Sequence, residues 1–283
     1  MPATSTTAPS TDWYDHPAWY DILHTPGTAE EVDGLQRIRR RFGAPLRPRG
    51  RLARRPELWF EPGCGTGRYL RVLAARGTAV AGIDLNPAMI EYVREVFARR
   101  GLKGTLIAGD MARPIRGLDA GSVDFAFCLI NSIRHLPTDA AMLAHLRVVA
   151  RLLRPGGVYA VGFSLTSYGH EFPSEDVWEG VRGSTRVTQL VQYLPPGETD
   201  GRPRAERVLS HLAVRTAGAE HHLDTVYDLR TYSGPQFEAL LKKSPFKVVG
   251  VVDEAGRDAL QLAGDQWKHP HATGYAIYVL GSR

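Results

Sequence analysis

The stretch that decides the fold is Leu58-Trp59-Phe60-Glu61-Pro62-Gly63-Cys64-Gly65-Thr66-Gly67-Arg68. A short apolar run ends in a loop with glycine at 63, 65 and 67. Tyr69, Leu70, Val72 and Leu73 then recur at helical spacing. A strand that turns through glycines into a helix brings backbone N–H groups and the open helix start close to a ligand. A nicotinamide fingerprint wants G-x-G-x-x-G. Here the spacing is G-x-G-x-G, with an acidic residue two places before the first glycine.

Outward from this loop, strands and helices alternate. Thr78 to Ile83 reads as a second strand ending at Asp84, and Asn86-Pro87 opens a helix to about Arg100. Thr105 to Ala108 is a third strand, closed by Gly109-Asp110-Met111, and Val123 to Ile130 a fourth. Thr138 caps a helix that runs to Leu153 and stops before Pro155-Gly156-Gly157; Val158 to Phe163 is the fifth strand. The alternation predicts an α/β fold, a Rossmann-like seven-stranded, mostly parallel sheet with helices on both faces. Residues 1–12 read as a disordered leader, and two helices, 13–24 and 28–42 (the second capped by Thr28), form with a basic linker to residue 55 an N-terminal helical lid. The cofactor-binding core spans 56–163. In 164–232, after an irregular stretch to 183, runs at 185–194, 205–216 and 220–232 predict an inserted antiparallel β cap over the carboxyl edge of the sheet, where open α/β sheets bind ligands. Residues 233–283 supply a helix capped by Ser233 and two strands, 247–253 and 273–280, that complete the core.

Composition narrows the class. With 283 residues, 43% hydrophobic and 23% charged, the chain is long enough for a full core without disulfides or metals. No apolar run approaches the length of a spanning helix, and the first residues lack the pattern of a signal peptide, so a cytoplasmic protein with no membrane partner is expected. Thirty arginines against five lysines give a formal charge of +5; nine of the arginines lie between Arg37 and Arg55, and without them the rest of the chain stands at −4. Such a segment can bind nucleic acid or phosphate, or be the solvated end of a helix with its linker.

In order, Glu61 with the Gly63–Gly67 loop, Asp84, Asp110-Met111 and the Leu-Arg-Pro-Gly-Gly turn at 153–157 resemble the motifs of class I S-adenosylmethionine-dependent methyltransferases. The resemblance is close over 56–163 and extends in outline to both ends. It implies that Gly63, Cys64 and Gly65 hold the methionyl part of S-adenosylmethionine, with Glu61 reaching its ammonium group. It further implies Asp84 on the ribose, Leu85 and Met89 beside the adenine, Asp110 and Met111 at the adenine amine, and Leu129 and Asn131 behind the sulfonium. After the fourth strand, Leu129-Ile130-Asn131-Ser132-Ile133-Arg134-His135-Leu136 departs from the Asn/Asp-Pro-Pro-aromatic loop of nucleic-acid methyltransferases. It is more similar to the glycine/sarcosine-type and amino-sugar N-methyltransferase branch, as are Trp13-Tyr14 and Trp19-Tyr20 near the start. That branch implies a Tyr at the methyl group, which assigns Tyr20 a role toward both reaction and cofactor and Tyr14 one at the cofactor's carboxylate.

Methyl transfer from a sulfonium is an in-line displacement, so alignment and exclusion of water are much of the task. His135 is the candidate base or acceptor-positioning group, with Tyr20 beside it. The expected acceptor is a small-molecule metabolite methylated on nitrogen or oxygen; nucleic acid is not expected as a partner, and oligomeric state is not readable. Two rivals stand: an RNA methyltransferase recruited by Arg37–Arg55, and a non-methylating S-adenosylmethionine-binding protein (cyclase, decarboxylase or regulator). His211, His221 and His222 invite a metal reading, but a turn near Ala217-Gly218 sets His211 opposite about Asp224, so no metal is expected. Cys64 and Cys128 read as structural thiols.

Overall fold

A computed structural model describes residues 12–45, 56–197 and 201–283. Seven strands form the main sheet: β1 (Leu58–Pro62), β2 (Ala79–Asp84), β3 (Thr105–Ala108), β4 (Val123–Cys128), β5 (Leu153–Leu165), β10 (Phe246–Val252) and β11 (Gly274–Ser282). Their order is β10-β11-β5-β4-β1-β2-β3, parallel except that β11 runs antiparallel to both neighbours. The order reverses between β1 and β4, and such a switch point opens a crevice at the carboxyl ends of the strands. Alternating side chains leave the sheet on opposite faces. Trp59, Val80, Phe125 and Phe127 pack with α2 (Thr28–Phe42), α3 (Arg68–Ala75) and α4 (Pro87–Arg99), while Phe60, Ala81, Ala126 and Cys128 pack with α5 (Asp139–Leu152) and α6 (Gly234–Lys242).

The glycine loop is shaped by sterics. Gly63, Gly65 and Gly67 all have positive φ, and a Cβ on Gly67 would lie 2.8 Å from Val93 Cγ1. The loop can therefore close onto α4 only with glycine at that position.

The cap is a separate antiparallel sheet, β6-β7-β8-β9: β6 (Ser174–Arg182), β7 (Thr185–Leu194), β8 (Ala205–Arg215) and β9 (Glu220–Arg230). The expectation of an irregular stretch to residue 183 is thus corrected by one strand. β6 is an edge strand that is mostly solvent-facing, so its sequence shows no clean apolar alternation. The fourth core strand is also shorter than expected. It ends at Cys128, because Ile130 and Asn131 turn left-handed at φ 51° and 60°.

The expected helix 13–24 is a 3-10 turn, Trp13–Asp15, followed by α1 (Pro17–His24), with Pro17 restarting the helix at a position where its missing N–H costs nothing. Gly27, not Thr28, is the N-cap of α2; the Thr28 hydroxyl donates to Thr25 O at 2.6 Å instead. This N-terminal segment is wedged between cap and core: Trp13, Ile22 and Leu23 pack on Val187, Leu212 and Val214 of the cap. Beneath them the fully buried Asp21 ties three elements together. It accepts from Arg71 of α3, from Arg182 of β6 at 2.7 Å and from Tyr92 Oη of α4 at 2.9 Å.

The expected leader 1–12 lies outside the described residues except for Asp12, which caps the 3-10 turn. Residues 46–55, with five of the nine clustered arginines, also lie outside them. Three of the other four serve the fold: Arg37 donates to Ala255 O, Arg39 to Glu57 and Ala44 O, and Arg41 to Asp258.

Candidate active site

A cavity of about 1100 Å³ lies at the carboxyl ends of β1, β2, β3 and β4, roofed by the cap and closed on one side by the N-terminal segment. One half is walled by the glycine loop and the strand ends: Gly63, Gly65, Asp84, Leu85, Asn86, Met89, Asp110 and Met111 all face it. Asp84 is anchored by two backbone donors, Gly65 N–H at 2.7 Å and Asn86 N–H at 2.9 Å, one to each carboxylate oxygen. Each oxygen keeps lone-pair capacity for a hydroxyl. Burial raises the Asp84 pKa, and the two backbone donors oppose that rise. Asp110 is held by Ala112 N–H at 2.8 Å.

The sequence-derived candidates divide here. Cys64 and Leu129 are buried, and their side chains belong to the hydrophobic core under the loop; Cys64 Sγ lies where a Cβ on Gly82 would meet it at 2.8 Å. Glu61 is buried behind the loop rather than on the cavity wall. Its Oε2 has no hydrogen-bond partner among the described residues, and burial pushes its pKa well up, with Arg68 opposing and Asp84 reinforcing the shift. A buried carboxylate oxygen without a partner is costly, and a nearby cationic group would relieve it.

The other half of the cavity is built by the cap, the N-terminal segment and the turn after β4. Tyr20 lies over the glycine loop, its Cε1 3.7 Å from where a Gly65 Cβ would be. The rings of Tyr14 and Tyr227 lie 6.0 Å apart, tilted at 59°. His135 stacks on Tyr227 at 5.5 Å and meets the edge of Tyr14 at 5.9 Å. His135 is exposed into the cavity. Partial desolvation by the surrounding wall, with the adjacent Arg134 charge, lowers its pKa to about 4, so the imidazole is neutral at pH 7. Burial raises the phenols of Tyr14 and Tyr20, which stay protonated and act as hydrogen-bonding groups.

The turn itself is strained. Ile130 and Asn131 adopt left-handed backbone conformations that cost about 1–3 kcal/mol each. They are held by Ile130 N–H donating to Tyr275 Oη at 3.1 Å and Ser164 N–H donating to Asn131 Oδ1 at 2.9 Å. Asn86, read from sequence only as the start of a helix, also donates to Tyr14 O and Asp15 Oδ1 and so fastens the N-terminal segment to the loop end of the cavity.

Sequence reasoning missed Arg134, Glu206, Gln189 and Asp176, all on the cavity wall. Arg134 adjoins the His135 candidate and carried no motif of its own. The other three lie on cap strands, and only strand pairing tells which face they take. His211 does pair with Asp224, at 2.7 Å, but it also reaches His222 diagonally at 3.1 Å, a contact the register argument did not foresee.

Comparison with known proteins agrees with this geometry. Residues 60–157 match a family model described as a methyltransferase domain. The chain is 28% identical over 186 residues to malonyl-[acyl-carrier protein] O-methyltransferase of Serratia marcescens, covering 66% of this chain and 61% of that one. It is 30% identical to dTDP-4-amino-2,3,4,6-tetradeoxy-D-glucose N,N-dimethyltransferase of Saccharopolyspora spinosa, over 52% of this chain and 53% of that one. The alignments therefore span less than two thirds of either relative. The crystal structure of the sugar N-methyltransferase KedS8 from Streptoalloteichus sp. superposes with a TM-score of 0.62 over 99% of this chain and 97% of its own, at 21% identity. Residues 60–157 thus match the methyltransferase-domain family model, within a fold that the chain shares with a sugar N-methyltransferase.

Proposed function

We propose that the protein is an S-adenosylmethionine-dependent methyltransferase acting on a small-molecule acceptor. The observation that carries this reading is one continuous cavity with two unlike halves. Pockets for one drug-sized ligand run to about 1000 Å³, and this one, at about 1100 Å³, is larger and is lined at one end by the glycine loop and two strand-end carboxylates. The residues present fit the cofactor at Asp84, which offers free lone pairs to a ribose diol, while the partnerless Glu61 oxygen stands behind the loop that would carry the methionyl part. Leu85, Met89 and Met111 form an apolar slot for a purine beside Asp110. When bound, S-adenosylmethionine supplies an activated methyl group on a sulfonium.

The protein's own task is then alignment and the exclusion of water. Tyr20 covers the loop, and Tyr14, Tyr227 and His135 frame the space where an acceptor meets the methyl group. His135 is neutral, so it accepts a hydrogen bond from an acceptor N–H or O–H and orients the lone pair. With a pKa of about 4 it is a positioning group for an amine more than a strong base for an alcohol.

The test is incubation of the purified chain with methyl-labelled S-adenosylmethionine and metabolite extract, alongside titration with S-adenosylhomocysteine. Label entering a small molecule supports the proposal. Tight cofactor binding without a labelled product points to a non-methylating role. Label in added RNA, with steeply salt-dependent binding, would favour the RNA alternative.

A further inference from the structure

The acceptor half of the cavity has an electrical character that the cofactor half does not need. Among the described residues lining the cavity, Arg134 alone is a lysine or arginine, whereas Asp12, Asp176 and Glu206 face it outside the cofactor motifs. Arg134 is already committed. Its Nε donates to Arg230 O at 2.9 Å, Nη1 to Asn131 Oδ1 at 3.3 Å and Nη2 to Glu206 Oε2 at 2.9 Å. With its side chain only 3% exposed, it is a brace under the Ile130–Asn131 turn, not a free receptor for an anion.

A second observation points to a donor-rich ligand. Gln189, on the inner face of the cap and 2% exposed, uses Nε2 on Ser210 Oγ at 2.8 Å, while its Oε1 is buried with no partner and the residue lines the cavity. Between these polar acceptors stand the rings of Tyr14, Tyr227 and Trp178, whose faces attract cations. A phosphate brought here would meet carboxylates and no uncommitted guanidinium or ammonium among the described wall residues. An ammonium would meet carboxylates, an unpartnered amide oxygen and aromatic faces.

Resting on the methyltransferase reading, we infer that the acceptor is an amine-bearing small molecule without phosphate that is a cation in solution, its reacting nitrogen losing its ammonium proton to water before it attacks the methyl carbon and the C–S bond breaks, and that Glu206 is the residue that sets this preference. Arg134 fixes the rotamer of Glu206 through one oxygen, and the other, with no hydrogen-bond partner among the described residues, can receive an amine N–H. In this respect the site differs from what the nucleotide-linked sugar named for the Saccharopolyspora relative would require, since that diphosphate carries negative charge.

The experiment fractionates a metabolite extract of the source cells on cation and anion exchangers. Each fraction is incubated with the full chain and methyl-labelled S-adenosylmethionine. Label is expected in the cation-retained fraction, at least about tenfold over the anion-retained and unretained ones. Label chiefly in the anion-retained or neutral fraction overturns the inference while leaving methyl transfer intact; label in no fraction, with cofactor binding preserved, overturns the methyltransferase reading itself. Glu206→Gln should cut the cation-to-anion ratio about tenfold without changing S-adenosylhomocysteine affinity. Because that variant disturbs Arg134, the exposed Asp176→Asn is the second test, with the same direction expected; an unchanged ratio in both variants overturns the role of the cap carboxylates.

Discussion

The Asp84 carboxylate takes the Gly65 N–H on one oxygen and the Asn86 N–H on the other, so one side chain joins the glycine loop to the start of α4. The loop is thereby shaped by the residue that also offers lone pairs to the cavity. Asp84→Ala should weaken S-adenosylhomocysteine binding by about tenfold or more, because the ribose contact and the loop's anchor are lost together. Calorimetric titration measures it; affinity equal to the parent's would remove Asp84 from the cofactor site.

His135 stands among Tyr14, Tyr227 and the cap, away from the Asp84 end. His135→Ala should leave S-adenosylhomocysteine affinity within a few-fold and lower kcat by about 10²-fold or more. The acid limb of the parent's rate profile belonging to this group should fall near its pKa of about 4, not near the ordinary 6.5, because burial and Arg134 disfavour its protonation. Full turnover in the alanine variant would refute the role.

Asp21 is fully buried, and although burial alone would raise its pKa, the hydrogen bonds and charges of Arg71 and Arg182 lower it from 3.8 to about 2. A carboxylate with a depressed pKa in the folded state contributes stability above its unfolded pKa and loses it as the pH falls through the folded value. The contribution, about 2 kcal/mol, should thus be complete above about pH 4 and disappear toward pH 2. Asp21→Asn should lose that part of the slope in urea unfolding followed between pH 2 and 5. A parallel slope in both proteins would show that the triple tie contributes nothing.

Gly67 has a φ of 65°, and a Cβ there would press on Val93 Cγ1 at 2.8 Å. Gly67→Ala should cost about 2 kcal/mol or more from the left-handed backbone and the contact combined. Gly77→Ala is the control, because its φ is also positive but nothing lies within 4 Å of the added carbon. Thermal unfolding should place Gly67→Ala clearly below Gly77→Ala; equal midpoints would mean that α4 yields at no cost.

Much of the molecule was legible before its coordinates. The five parallel strands and their helices announce themselves because a buried parallel strand is a short apolar run and an amphipathic helix repeats every three to four residues. The loop residues Gly63 and Gly65, with Asp84, Asp110, Met89 and Met111, fall where the strand ends put them. The side chains of Cys64 and Leu129 turn into the core, because alternation along a loop or strand sends a neighbour's side chain inward. The edge strand β6 was missed because nearly all of its residues are exposed, so no buried face sets an alternation that would reveal it.

The basic segment shows the same division. Its charge is plain in the sequence, but only the structure shows Arg37, Arg39 and Arg41 spent on Ala255, Glu57 and Asp258. Local order, from the glycine spacing to the alternation of strand and helix, was determined by the sequence itself, because backbone sterics and hydrophobic periodicity act over a few residues. The acceptor end was decided by tertiary structure. Tyr14, Arg134, His135, Gln189, Glu206 and Tyr227 come from three distant parts of the chain, and only strand pairing and the wedging of the N-terminal segment bring them to one wall.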